Sequence, residues 1–140
     1  MRCEEIMKRN VQFVSKSSTA REAACIMRDQ NIGFLPVCDE QKRVLGTLTD
    51  RDLAIRLVAE NRPATEPVGN VMTNETICCR TTDDIGQAEQ RMATEHKSRI
   101  MCVDENGRLE GVISLSDIAQ VSTDERAAKT MRGVTEREAA

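Results

Sequence analysis

The stretch GTLTDRD, residues 46–52, returns 65 positions later as GVISLSD, residues 111–117. Each copy has a glycine, a hydroxyl residue three positions on, and an aspartate three beyond that. The same offset carries Met7 to Met72, Ala23 to Ala88, Met27 to Met92, Arg43 to Arg108 and Ala54 to Ala119, with no gap. Asp39-Glu40 likewise meets Asp104-Glu105, and conservative pairs such as Leu35 with Ile100 fill the intervals. The chain is therefore a duplication. A unit this small buries its apolar face poorly alone, so the two copies are expected to pack on each other.

Each copy reads as strand, helix, strand, strand, helix. A short extended piece comes first, VQFV (11–14) or TICC (76–79). A helix follows. Thr19 with Glu22, and Asp84 with Gln87, have capping-box spacing, and Ala23 and Met27, or Ala88 and Met92, recur at helical intervals. FLPVCDEQKRVLGTLT and RIMCVDENGRLEGVIS then read as hairpins, and Asn106-Gly107 is a strong turn signal. A second helix is expected from Asp50 to about Glu60, and again from Leu115 to about Val121. The predicted class is α/β (α+β), built from two β-α-β-β-α repeats. The first repeat spans 1–62 and a Pro-rich linker 63–68. The second repeat spans 69–122, and a charged, Ala-rich tail 123–140 receives no function.

Composition narrows the function. A net charge of −3 argues against a nucleic-acid partner, which needs a basic face. With Phe13 and Phe34 the only aromatics, there are no stacking platforms for bases, and the core must be aliphatic. No apolar run reaches membrane-spanning length and no signal-peptide core is visible, so a cytoplasmic protein with no membrane partner is expected. Six cysteines, with His96 the only histidine, show no zinc spacing. Cys38 and Cys102 read as buried small hydrophobes. Cys78-Cys79 should face opposite sides of a strand; a thiol sensor using them with His96 is one alternative, and no metal site is expected. His96, at a helix end, reads as a favourable C-terminal charge.

Two readings of the twice-written motif stand side by side. Thr49 with Asp52, and Ser114 with Asp117, have the spacing of a capping box, which alone explains both pairs. The same residues at a helix mouth can instead grip a nucleotide. Backbone amides and the hydroxyl would take phosphate, and the carboxylate would take ribose hydroxyls. Gly46 and Gly111 leave room on the strand for a close approach.

The repeat order and the recurring Gly-x-x-Thr/Ser-x-x-Asp resemble a tandem cystathionine-β-synthase-type (CBS) domain pair over about residues 4–122, most clearly in IGFLPVCD, GTLTDRDLA and GVISLSDIA. The resemblance implies two β-α-β-β-α repeats packed sheet to sheet with pseudo-twofold symmetry, a free-standing Bateman module that is not an enzyme, requires no cofactor, and binds AMP, ADP, ATP or S-adenosylmethionine in clefts between the repeats. It implies one cleft joining Thr49 and Asp52 to Ile77, Lys97 and Ser98, and another joining Ser114 and Asp117 to Gln12, Ile32 and Gly33. It also implies a homodimer that signals to a protein target the sequence does not name. Arg51, Lys97 and Arg99 make the Thr49/Asp52 cleft the more basic, so it is expected to prefer the more phosphorylated ligand. The alternative is a dimerisation or docking module with empty clefts.

Overall fold

The computed structural model describes residues 1–139, with side chains through Glu136. Compactness divides it into two units, one made of Gln12–Thr76 and the other of Met1–Val11 together with the chain from Ile77 onward. The units therefore do not coincide with the repeats as read along the sequence. The segment that leads the first repeat packs on the second, and the segment that leads the second packs on the first.

In the unit of Gln12–Thr76, helix α1 is Ala20–Gln30. Thr19 caps it as its spacing predicts: its hydroxyl accepts from Glu22 N at 3.1 Å, and Glu22 accepts from Thr19 N at 3.2 Å. Strands β1 (Phe34–Cys38) and β2 (Val44–Thr49) pair antiparallel, with Leu35 opposite Leu48. The expected first strand is reduced to a single parallel bridge between Val14 and Val37. The second helix, α2, starts with one α turn, Asp50–Asp52, and continues as a π-helix, Leu53–Val58. It ends short of the predicted Glu60. An aliphatic core lies inside this unit, built on Val14, Ala23, Met27, Leu35, Val37, Leu48, Val68 and Met72.

The other unit repeats the plan. Strand β3 (Cys78–Arg80) runs parallel to β4 (Arg99–Val103), which pairs antiparallel with β5 (Leu109–Ser114). Helix α3 is Ile85–Glu95, with Asp84 accepting from Gly86 N at 2.9 Å and Gln87 accepting from Asp84 N at 3.1 Å. Helix α4 is Leu115–Val121, within the predicted bounds. The core gathers Met7, Ile77, Met92, Ile100, Ile113 and Ile118. The tail forms a helix, α5 (Asp124–Ala139), whose Val134 enters that core. The alternation of apolar residues was too weak in the sequence to show which face is buried.

Symmetry extends to the irregularities. Both hairpins carry a bulge, at Val37/Cys38 and at Cys102/Val103, and both turns place a left-handed residue at the same step, Lys42 (φ 66) and Gly107 (φ 79). Asp39 and Asp104 close those turns by accepting backbone N–H bonds from Arg43 and Arg108, each at 2.9 Å. The bonds from Arg108 and Asn106 hold the Asp104 carboxyl below the usual carboxylate range.

Candidate functional site

The twice-written motif sits where β2 runs into α2 and where β5 runs into α4. The strand ends extended at the hydroxyl residue (Thr49 φ −117, ψ 162; Ser114 φ −102, ψ 163) and the helix begins at the next one. Both capping boxes are formed. Asp52 N donates to Thr49 Oγ1 at 3.0 Å and Thr49 N donates to Asp52 Oδ2 at 3.0 Å. Asp117 N donates to Ser114 Oγ at 3.1 Å and Ser114 N donates to Asp117 Oδ2 at 2.9 Å. The capping reading of the motif is thus realised in both copies. It consumes one lone pair on one oxygen of each carboxylate, and a carboxylate offers about four.

The remaining capacity faces residues that the sequence reading missed. Thr73 Oγ1 lies 3.1 Å from Asp52 Oδ1 and 3.2 Å from Oδ2, and Arg56 Nε stands 3.9 Å from Oδ1. In the other unit Lys8 Nζ lies 3.6 Å from Asp117 Oδ1. Thr73 and Lys8 are one offset apart, as their neighbours Met72 and Met7 are, so the repeat equates the two residues without showing which aspartate each meets. Thr73 bridges to Thr47 through reciprocal backbone bonds of 2.9 and 2.8 Å, and Lys8 bridges to Val112 through two of 3.0 Å.

These bridges revise the role given to the glycines. The room at Gly46 and Gly111 is filled by the chain itself. A Cβ on Gly46 would lie 2.4 Å from Thr73 O and 2.4 Å from Met72 Cε. A Cβ on Gly111 would lie 2.7 Å from Lys8 O and 2.8 Å from Met7 Sδ. The motif glycine admits the crossing segment that brings Thr73 or Lys8 to the aspartate.

The other expected site residues divide between the units. Gln12, Ile32, Gly33 and Arg51 belong with Thr49 and Asp52; Ile77, Lys97, Ser98 and Arg99 belong with Ser114 and Asp117. Asp50 N donates to Gly33 O at 3.0 Å, and Leu115 N donates to Ser98 O at 2.8 Å, so residues 33 and 98 flank the motif of their own repeat. Gln12, Arg51, Ser98 and Arg99 are exposed, Lys97 is half-buried and Ile77 is buried.

Cys78, Cys79 and His96 do not form a constellation. Cys79 turns into the core toward Cys3 and Cys102, while Cys78 is only half-buried. His96 is the left-handed cap of α3 (φ 57), and its Nδ1 lies 2.8 Å from Gly133 O of α5. Among the described residues no group of three His, Cys, Asp or Glu side chains is arranged to hold a metal ion, and no helix is long and apolar enough to cross a membrane.

Known proteins share this plan. The CBS domain YhcV protein of Bacillus subtilis is 37% identical over 116 residues, 83% of this chain and 81% of its own. The crystal structure of TA0289, a conserved CBS domain protein of Thermoplasma acidophilum, superposes with a TM-score of 0.81 at 23% identity, covering 95% of this chain and 75% of that one. The CBS domain pair of protein MJ0100, solved with 5′-methylthioadenosine and S-adenosyl-L-methionine, superposes with a TM-score of 0.76 at 23% identity, over 86% and 94% of the two chains. The CBS domain family matches residues 3–59 and again 68–124, so this chain belongs to it as a tandem pair of CBS domains.

Proposed function

We propose that this CBS pair is a regulatory module that binds an adenosine-containing ligand, AMP, ADP, ATP or S-adenosylmethionine, and passes its bound state to a protein partner. The observation that carries the reading is the spare capacity of Asp52 and Asp117. Each caps its own helix with Oδ2; Asp117 Oδ1 meets the exposed Lys8 ammonium, and the Thr73 hydroxyl lies within reach of both Asp52 oxygens, donors that a ligand can replace. A vicinal ribose diol supplies two such donors at once. The adenosine compounds bound by the MJ0100 pair support the choice of ligand class. Under this reading Gln12, Ile32, Gly33, Ile77, Lys97 and Ser98 line the ligand, and Arg51 and Arg99 serve its phosphates. Dimerisation belongs to the same proposal, supported by Ile55 and Val58, which α2 leaves exposed.

The closed capping boxes favour a second reading, a dimerisation or docking module that binds no adenosine ligand. A thermal-shift screen with adenosine, AMP, ATP and S-adenosylmethionine separates the two. A ligand at about one hundred times its Kd adds about 2.7 kcal/mol, which in a domain of this size raises Tm by roughly 5–10 °C. A melting curve indifferent to every adenosine compound supports the second reading.

A further inference from the structure

Three thiols meet in the core of the unit formed by Met1–Val11 and the chain from Ile77 onward. Cys79 Sγ lies 3.7 Å from Cys3 Sγ and 3.5 Å from Cys102 Sγ, and all three residues are buried. None is in a disulfide. The repeat supplies a control for what packing alone requires. One offset away, the same three positions are Val68, Val14 and Val37, all buried together in the other core. The parallel pairing of Cys79 with Cys102 is matched there by the bridge of Val14 with Val37. The fold thus asks only for a small apolar side chain at each place, and one copy fills all three with sulfur.

We propose that this cluster is an oxidation site, in which hydrogen peroxide converts Cys3 and Cys79 to a disulfide. Cys79 and Cys102 are register partners on adjacent strands, fixed by the ladder between β3 and β4. Cys3 lies outside the sheet, on the 3-10 turn Cys3–Glu5, and can close the gap to an S–S bond of about 2 Å by a local shift. Hydrogen bonds from Cys102 and Cys79 hold the Cys3 thiol well below the usual thiol range, so Cys3 is the member whose anion the cluster favours. Hydrogen bonds to Cys3 and Cys79, with burial behind them, push the Cys102 thiol up and leave it the unreactive member.

The chemistry closes on two thiols and one peroxide. The Cys3 thiolate attacks a peroxide oxygen, the O–O bond breaks, and sulfenic acid and water result. Cys79 then attacks the Cys3 sulfur, the S–O bond breaks, and the departing hydroxide leaves as a second water with the Cys79 proton. Two electrons pass from the thiols to the peroxide. The product ties Cys3 to β3, and the segment so anchored, Met1–Val11, also carries Lys8 with its bridge to Val112 and its contact with Asp117. Peroxide is small and uncharged, and reaches the cluster during local opening of the turn.

The test uses the purified 140-residue chain, with hydrogen peroxide as the probe. Alkylation under denaturing conditions, read by mass, should fall from six thiols to four, and peptide mapping should join Cys3 to Cys79. A C3V/C79V/C102V variant, which borrows the residues of the other repeat, should keep its circular dichroism and cooperative melt and form no internal disulfide. A C25S variant should oxidise like the parent. The proposal is overturned if all six thiols survive in the folded chain, if oxidation occurs only in urea, or if the linkage maps to Cys25, Cys38 or Cys78.

Discussion

Gly46→Ala and Gly111→Ala should each destabilise the chain by about 2–4 kcal/mol, a methyl group's insertion costing far more here than on an open strand. The added Cβ meets backbone, not the end of a flexible side chain: Thr73 O at 2.4 Å in one case and Lys8 O at 2.7 Å in the other. Relief requires the crossing segment to lift, and lifting breaks the paired bonds of Thr47 with Thr73 or of Val112 with Lys8. Gly46→Ala should cost more, because Met72 Cε adds a second contact at 2.4 Å. Urea denaturation gives the midpoint shift directly. Stability within roughly 0.5 kcal/mol of the parent, the ordinary range of surface substitutions, would show that the segments do not lie across the glycines.

Glu89→Ala should cost about 2–3 kcal/mol and release α5. Glu89 is a buried carboxylate on α3, and its partners come from the end of α4 and from α5. Ser122 Oγ and Arg126 Nη2 each donate to Oε1 at 2.9 Å, and Thr130 Oγ1 reaches Oε2 at 3.5 Å. Removing it takes the acceptor from Ser122 Oγ and Arg126 and deletes a packed side chain at once, while Thr130 Oγ1 keeps its bond to Arg126 O at 3.0 Å. Arg126 is about half exposed and can turn to water, which keeps the loss below that of a fully buried pair. Glu89→Gln preserves the shape and one acceptor, so it should cost about 1 kcal/mol. Limited trypsin digestion reads the helix separately, since Arg126, Lys129 and Arg132 all lie on it. Cleavage there should precede cleavage elsewhere in Glu89→Ala, and an unchanged digestion pattern would mean that this carboxylate does not hold the helix.

The repeat was legible because both copies keep the residues that geometry constrains most. Gly46 and Gly111 are kept where backbones touch, Thr19 and Asp84 where helices begin, and Asp39 and Asp104 where hairpins turn. The exchange of leading segments was not legible, because one offset relates residue to residue and is silent on which copy a segment packs against. That is why Thr73 and Lys8 were missed as neighbours of the aspartates, although each stands beside a matched methionine. The weak first strand also escaped, since VQFV carries strand-forming residues but finds a ladder partner only at Val14. The cysteine cluster escaped for a similar reason. Cys3, Cys79 and Cys102 are far apart in sequence, and only the core brings their sulfurs together.

The most direct test of the central claim is calorimetric titration of an adenosine ligand identified by thermal shift into the parent, Asp52→Asn and Asp117→Asn. Asparagine keeps an acceptor for the Thr49 or Ser114 amide, so the helix cap and the melt survive, while the anionic partner for a ribose diol is lost. The account predicts that each substitution weakens binding at its own site about tenfold or more, the loss of a charge-assisted bond worth roughly 1.5–3 kcal/mol. Affinities equal to the parent in both variants would contradict it, and would leave the aspartates as helix caps and nothing else.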